Sequence, residues 1–114
     1  MQIKRLCQTA HEESRRNGWY DTPNGERRNL GEMLMLMVSE AAEMLEAHRK
    51  RDENGRLKMS EKIPEFTKME EEAADLLIRL ADFSEYEGLR LEEAVSAKLA
   101  FNRTRGYRHG NLVC

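Results

Sequence analysis

The sequence predicts an all-α protein, an antiparallel four-helix bundle that associates into an oligomer. Three observations carry this reading. Apolar residues recur at three- and four-residue spacing in four separate segments. No alternating β-branched run competes with them. The third segment is apolar on more than one side, and a bundle this small has little use for a second apolar face unless another copy covers it.

The first helix is expected from about Gln2 to Arg16. Ile3, Leu6, Cys7, Ala10 and Ser14 form its stripe, and Asn17-Gly18 stops it. A loop holding Trp19, Tyr20, Asp21, Thr22, Pro23, Asn24 and Gly25 follows. The second helix is expected from about Glu26 to Asp52, closed by Asn54-Gly55. Its main stripe is Leu30, Leu34, Met37, Ala41 and Leu45, widened by Val38 and Met44.

A polar, aperiodic loop spans Arg56 to Ile63. Pro64, suited to a first helical turn, is expected to open the third helix. That helix runs to about Tyr86 on Phe66, Met69, Ala73, Leu76, Leu77 and Leu80, and Gly88 ends it. Ala74, Ile78 and Ala81 form its second apolar side. The fourth helix is expected from Leu91 to about Thr104, ended by Gly106, with Tyr107 to Cys114 as a flexible tail that frays or orders on binding. Short connections between long helices make neighbours antiparallel.

The totals narrow the function. A chain of 114 residues supports one domain. With 19 basic and 21 acidic residues, the formal charge is −2, which lacks the basic excess of a general nucleic-acid binder. No apolar run approaches the ~18 residues of a membrane span, and the N-terminus has no secretory pattern. Cys7 and Cys114 have no CxxC spacing and read as reduced thiols in a cytoplasmic protein.

Two acidic pairs carry the chemistry. Glu40 and Glu43 are three residues apart, as are Glu72 and Asp75, so each pair shares a helical face. Carboxylates are the ligands that hard divalent cations such as Mg²⁺ require, and Mn²⁺ can substitute. In a Glu-rich chain such spacing is commonly a solvated face, and Glu70, Glu71, Glu92 and Glu93 are read that way. Glu40 and Glu43 fit it poorly. Leu36 lies one turn before them, Ala47 one turn after, and Met33 and Met44 beside them. Acids interrupting an apolar strip need a neutralising cation. The fourth helix begins apolar with Leu91, Ala94 and Val95, then continues on the same side with Lys98, Asn102 and Arg105, a set suited to phosphate oxygens. Basic residues also complement a helix C-terminus, and alone they would not decide the matter.

The run from Leu34 to Glu43, with Ser-Glu-Ala-Ala-Glu at its end, followed by Glu71-Glu72-Ala73-Ala74-Asp75-Leu76-Leu77, resembles the MazG-like branch of the all-α NTP pyrophosphohydrolase superfamily. That family carries ExxE and then ExxD on an adjacent helix. Here the gap between them is positions 44 to 71, long for the family. The family's downstream Lys and Asn/Arg positions are matched by Lys98, Asn102 and Arg105, and the segment from Asn102 to Gly110 is similar to the ending of short members. The similarity runs from about Trp19 to Gly110. Many members place an acid directly before the first glutamate, where this chain has Ser39, so no role is carried over to that position.

The resemblance implies Mg²⁺-dependent hydrolysis of a (deoxy)nucleoside triphosphate to the monophosphate and pyrophosphate. It also implies a homodimer or homotetramer of helical bundles. Under that expectation Glu40, Glu43, Glu72 and Asp75 hold metal, and a carboxylate of the Glu40/Glu43 pair takes a proton from water. Lys98, Asn102 and Arg105 steady the leaving pyrophosphate. His11, Trp19 and Tyr20 are the candidates for contact with the base, Trp19 and Tyr20 through their flat faces. His109 in the tail is a further candidate for phosphate.

Competing readings differ in kind. A di-iron bundle needs Glu-x-x-His pairs, and His48 lies five residues beyond Glu43, the wrong offset. A non-catalytic helical oligomer that binds a nucleotide or partner is the stronger rival. Nucleic-acid binding through Arg103, Arg105 and Arg108 would show salt-sensitive retention.

Overall fold

The computed structural model describes residues 2–106, and the segment expected as a tail, 107–114, lies outside them. Four helices make up the fold, α1 (Ile3–Arg16), α2 (Leu30–Arg49), α3 (Lys68–Tyr86) and α4 (Leu91–Arg103), with a short 3₁₀ turn at Pro23–Gly25. There is no strand among the described residues, and none of their helices is long and apolar enough to cross a membrane.

The helix ends follow from local chemistry. Gly18 takes a positive φ of 82°, which turns the chain out of α1 and delivers Trp19 to the helix end. Asn29 caps α2 by accepting a hydrogen bond from the Glu32 amide. At α3, Thr67 and Glu70 form a capping box, each side chain satisfying the other residue's backbone N–H. That box corrects the expected start at Pro64, which instead sits in the loop, because a cap satisfying two orphan donors outweighs a proline's preset φ. The loop before it is ordered by isolated bridges pairing Arg51 with Leu57 and Met59 with Thr67.

α3 is the hub. α1 packs on it antiparallel, with His11 meeting Asp82 and Ser14 sharing a cavity wall with Ile78. α2 packs on another side, also antiparallel, with Met33 near Asp82, Glu40 at Arg79, and Ala47 near Glu71. The core between α1 and α3 is small. Cys7, Ala10 and Ala81 are buried there, backed by Ile3, Leu6 and Leu91.

The expected bundle is not closed by one chain. α4 contacts chiefly α1, through Leu91 and through Glu92, whose carboxylate accepts a hydrogen bond from the Lys4 amide, and none of its residues is buried. The radius of gyration is 17.3 Å, against ~13 Å for a compact domain of about this length. The core side of α2 is corrected as well. Met33 and Ala47 are its buried residues, whereas Leu30, Leu34, Val38 and Leu45 of the expected stripe are 40–56% exposed. α2 is apolar on two adjoining sides, and the chain packs the one that carries Glu40.

Candidate functional site

On α3, Lys68, Glu72, Asp75, Arg79 and Asp82 follow one another at spacings of four and three, so they form a charged ladder on one helical side. α2 lays its Met33–Glu40–Ala47 side along this ladder. Where the two meet, one carboxylate oxygen each from Glu40, Glu72 and Asp75 lies within 4.8 Å of the others. Three of the four expected acids therefore converge. Glu43 does not join them; it is exposed and lines a neighbouring cavity.

Like charges this close repel by about 3 kcal/mol per pair at an effective dielectric of ~20, so each needs compensation. Glu40 is met by Arg79, whose Nε donates at 2.8 Å, and Glu72 by the Lys68 ammonium at 2.9 Å. Among the described residues Asp75 has no such close cation. Burial, and the charges of Glu72 and Glu71, push its carboxyl above the usual range, with Lys62 and Arg79 only partly opposing this. Three acids and two tight cations leave one acid unbalanced.

Glu71, expected as ordinary surface charge, is instead 5% exposed. Its Oε1 accepts a 2.6 Å hydrogen bond from the buried Ser60 hydroxyl and lies 3.3 Å from Lys68. The Ser60 bond, foremost, and the lysines hold its carboxyl below the ordinary range. Ser60 Oγ also accepts the amides of Lys62 and Ile63, so this one side chain ties the 57–67 loop to α3.

Two cavities flank the acids. The larger, about 610 Å³, is lined by Glu40, Asp75, Arg79, Asp82, Trp19 and Arg28, among others. The smaller, about 380 Å³, is lined by Glu43, Glu71 and the lysines 50, 58, 62 and 68. Lys62 lines both.

The three base candidates separate. Trp19 faces the larger cavity, with the Arg28 guanidinium stacked 3.8 Å from its ring centroid. Tyr20 and His11 converge on Asp82: the Tyr20 hydroxyl donates to Oδ1 at 2.7 Å and His11 Nδ1 lies 2.9 Å from the same atom. Burial and the Asp82 carboxylate push the Tyr20 phenol well above its ordinary value. Tyr86 packs on Tyr20 at 4.5 Å between centroids. These residues build the wall that presents Asp82 to the cavity.

Lys98, Asn102 and Arg105 lie on and just beyond α4, and none lines either cavity. Lys98 and Arg105 instead flank the Phe101 ring, at 4.7 and 5.7 Å. The cations beside the acids are Lys62, Lys68 and Arg79, which the sequence reading did not single out. Their signal was there: Lys68 is four residues before Glu72 and Arg79 four after Asp75. No protein-family model matches this sequence, and no curated protein or solved structure shows a significant match to it.

Proposed function

We propose that this protein is a Mg²⁺-dependent nucleoside triphosphate pyrophosphohydrolase of MazG-like type, with Mn²⁺ able to substitute, acting as a homodimer or homotetramer in the cytoplasm. The observation that carries this reading is the convergence of Glu40, Glu72 and Asp75 from two antiparallel helices onto one point. An all-oxygen, net-acidic donor set suits a hard divalent ion. The displaced carboxyl of Asp75 marks a place where a further positive charge is wanted. The adjoining cavity has the volume of a small-molecule site and an indole on its wall. The exposed apolar side of α2 and the uncovered α4 support association with further copies.

In the proposed reaction, Glu40, Glu72 and Asp75 would hold a divalent ion, which would supply charge neutralisation for the triphosphate and Lewis acidity toward a water. Water oxygen attacks the α-phosphorus, the bond to the β-phosphate oxygen breaks, and pyrophosphate leaves. Glu40, Glu72 and Asp75 hold the charge that binds the ion. A carboxylate of the Glu40/Glu43 pair takes the water's proton. Trp19 and Asp82 bound the space for the nucleoside.

The rival, a non-catalytic nucleotide- or partner-binding oligomer, has one observation in its favour: Glu40 and Glu72 are ion-paired to the chain's own Arg79 and Lys68. Pyrophosphate release from a panel of nucleoside triphosphates, with and without Mg²⁺, separates the two. Turnover lost by ~10³-fold in Glu72→Gln is the expected result. No release from any triphosphate by the unaltered protein would overturn the enzyme reading.

A further inference from the structure

We infer that the lysine-lined cavity formed between the 57–67 loop, the end of α2 and the start of α3 binds the magnesium-chelated diphosphate end of the substrate. The nucleoside then lies across the acids in the larger cavity. This rests on the nucleotide reading above and adds the direction in which the substrate lies.

The geometry has three parts. First, the cavity is walled by cations from separate stretches of chain: Lys50 after α2, Lys58 and Lys62 from the loop, and Lys68 from the first turn of α3. Second, it abuts the carboxylate trio. Lys68 lines the cavity while its ammonium touches Glu72, and Lys62 lines both this cavity and the one holding Glu40 and Asp75. A chain of phosphates passing the acids in either direction enters one cavity or the other. The second cavity is the more acidic of the two: Asp21, Glu40, Asp75 and Asp82 line it against Arg28, Lys62 and Arg79. Two of those cations are engaged, Arg79 by Glu40 and Arg28 by Glu32 and the Trp19 indole, which disfavours a polyanion there. Third, the loop that supplies Lys58 and Lys62 is held in place. The Lys68 amide donates to the Lys58 carbonyl at 2.8 Å, and Ser60 anchors the turn to Glu71. The long gap between the two acidic motifs is thus an ordered wall of the site.

Charge balance fixes the form of the ligand. Beside its four lysines the cavity is lined by Glu43, Glu46, Glu61 and Glu71. Lys50 already pairs with Glu46, and Lys68 with Glu71. A bare anion would meet as many negative groups as positive ones, and a bare cation likewise. A magnesium–diphosphate complex presents both signs, its oxygens facing the lysines and its metal facing the adjoining Glu40, Glu72 and Asp75.

Isothermal titration of the whole chain with inorganic pyrophosphate tests this without hydrolysis, so it can fail independently of the proposed activity. Binding is expected with Mg²⁺ present and not without it. Lys58→Gln combined with Lys62→Gln removes two exposed side chains and should weaken that binding by roughly tenfold or more. Helicity and the affinity for Mn²⁺ alone should not fall. Lys4→Gln with Arg5→Gln, the same charge change on exposed α1, should leave pyrophosphate affinity unaltered. Equal weakening by both double variants, unchanged affinity in the loop variant, or equal binding without Mg²⁺ would overturn the assignment.

Discussion

The Arg79 guanidinium of α3 reaches across to α2 and donates from Nε to Glu40 Oε1 at 2.8 Å. It therefore occupies a lone pair of the Glu40 carboxylate, and in the proposed site it competes with the metal ion for Glu40. Arg79→Met should tighten binding of Mn²⁺ by several-fold while lowering stability by about 1 kcal/mol, the scale of a partly exposed pair. Calorimetric metal titration and chemical denaturation read the two effects separately. Weaker Mn²⁺ binding would show that Arg79 orders Glu40 for the metal instead of opposing it.

In the proposed site, Asp75 would link metal binding to pH. Its carboxyl is raised by burial first, then by the Glu72 and Glu71 charges, with Lys62 and Arg79 opposing. A raised carboxyl pKa disfavours the ionised folded state, so its stability penalty grows as pH rises through the ordinary aspartate range and is complete above the raised value. Metal needs the ionised form, so metal affinity should rise across the same interval. Asp75→Asn should abolish Mn²⁺ binding yet raise the metal-free melting temperature by a few degrees. A fall in that temperature would mean that the Asp75 charge is compensated.

Tyr20 gives an alkaline signature. Its phenol is raised by burial and by the Asp82 carboxylate. The folded state holds the proton more tightly than the unfolded one, so stability is whole below the ordinary tyrosine pKa and declines above it. In a spectrophotometric titration of the chain's three tyrosines, one should resist ionisation until unfolding. Tyr20→Phe should remove that resistance and cost about 1.5–3 kcal/mol, as for a hydrogen bond to a charged acceptor.

Ser60 is the pin of the loop. Ser60→Ala removes the donor to Glu71 and the acceptor for the Lys62 and Ile63 amides. Hydrogen exchange should quicken across residues 57–67 and stay unchanged in α1. Glu71 has a lowered carboxyl, so its contribution is present above the ordinary glutamate range and lost as pH falls through the lowered value. The variant should weaken that acid-side dependence, with Lys68 and Lys62 sustaining the remainder.

The four helices were legible because their punctuation is local: Asn17-Gly18 and Gly88 are stops readable without tertiary structure. The α3 start went astray because Pro64 is a conspicuous helix opener while Thr67–Glu70 is a quieter, stronger signal. Glu40 was correctly placed among apolar neighbours, since Met33 and Ala47 of its strip are the buried residues of α2. The more hydrophobic stripe through Leu34 and Leu45, the core side expected from periodicity, is exposed. Periodicity locates apolar sides but cannot say which one the same chain covers. Convergence of Glu40 with Glu72 and Asp75 needed the antiparallel register, which spacing within single helices does not contain. The roles of Lys68 and Arg79 were hidden for another reason: a cation four residues from an acid looks like a routine solvated pair until a second helix lies against it.

Small side chains separate α1 from α3. Cys7, Ala10 and Ala81, with Ala81 only 1% exposed, let the two backbones approach closely. This spacing acts as a gauge for everything mounted further along the same pair of helices, including the reach of His11 to Asp82 and the width of the cleft beside Ser14. A bulkier residue at Ala81, which does not line that cleft, would prise the helices apart and resize it from behind. The dimensions of the cleft can therefore be altered from the hydrophobic interior, by a residue that does not line it.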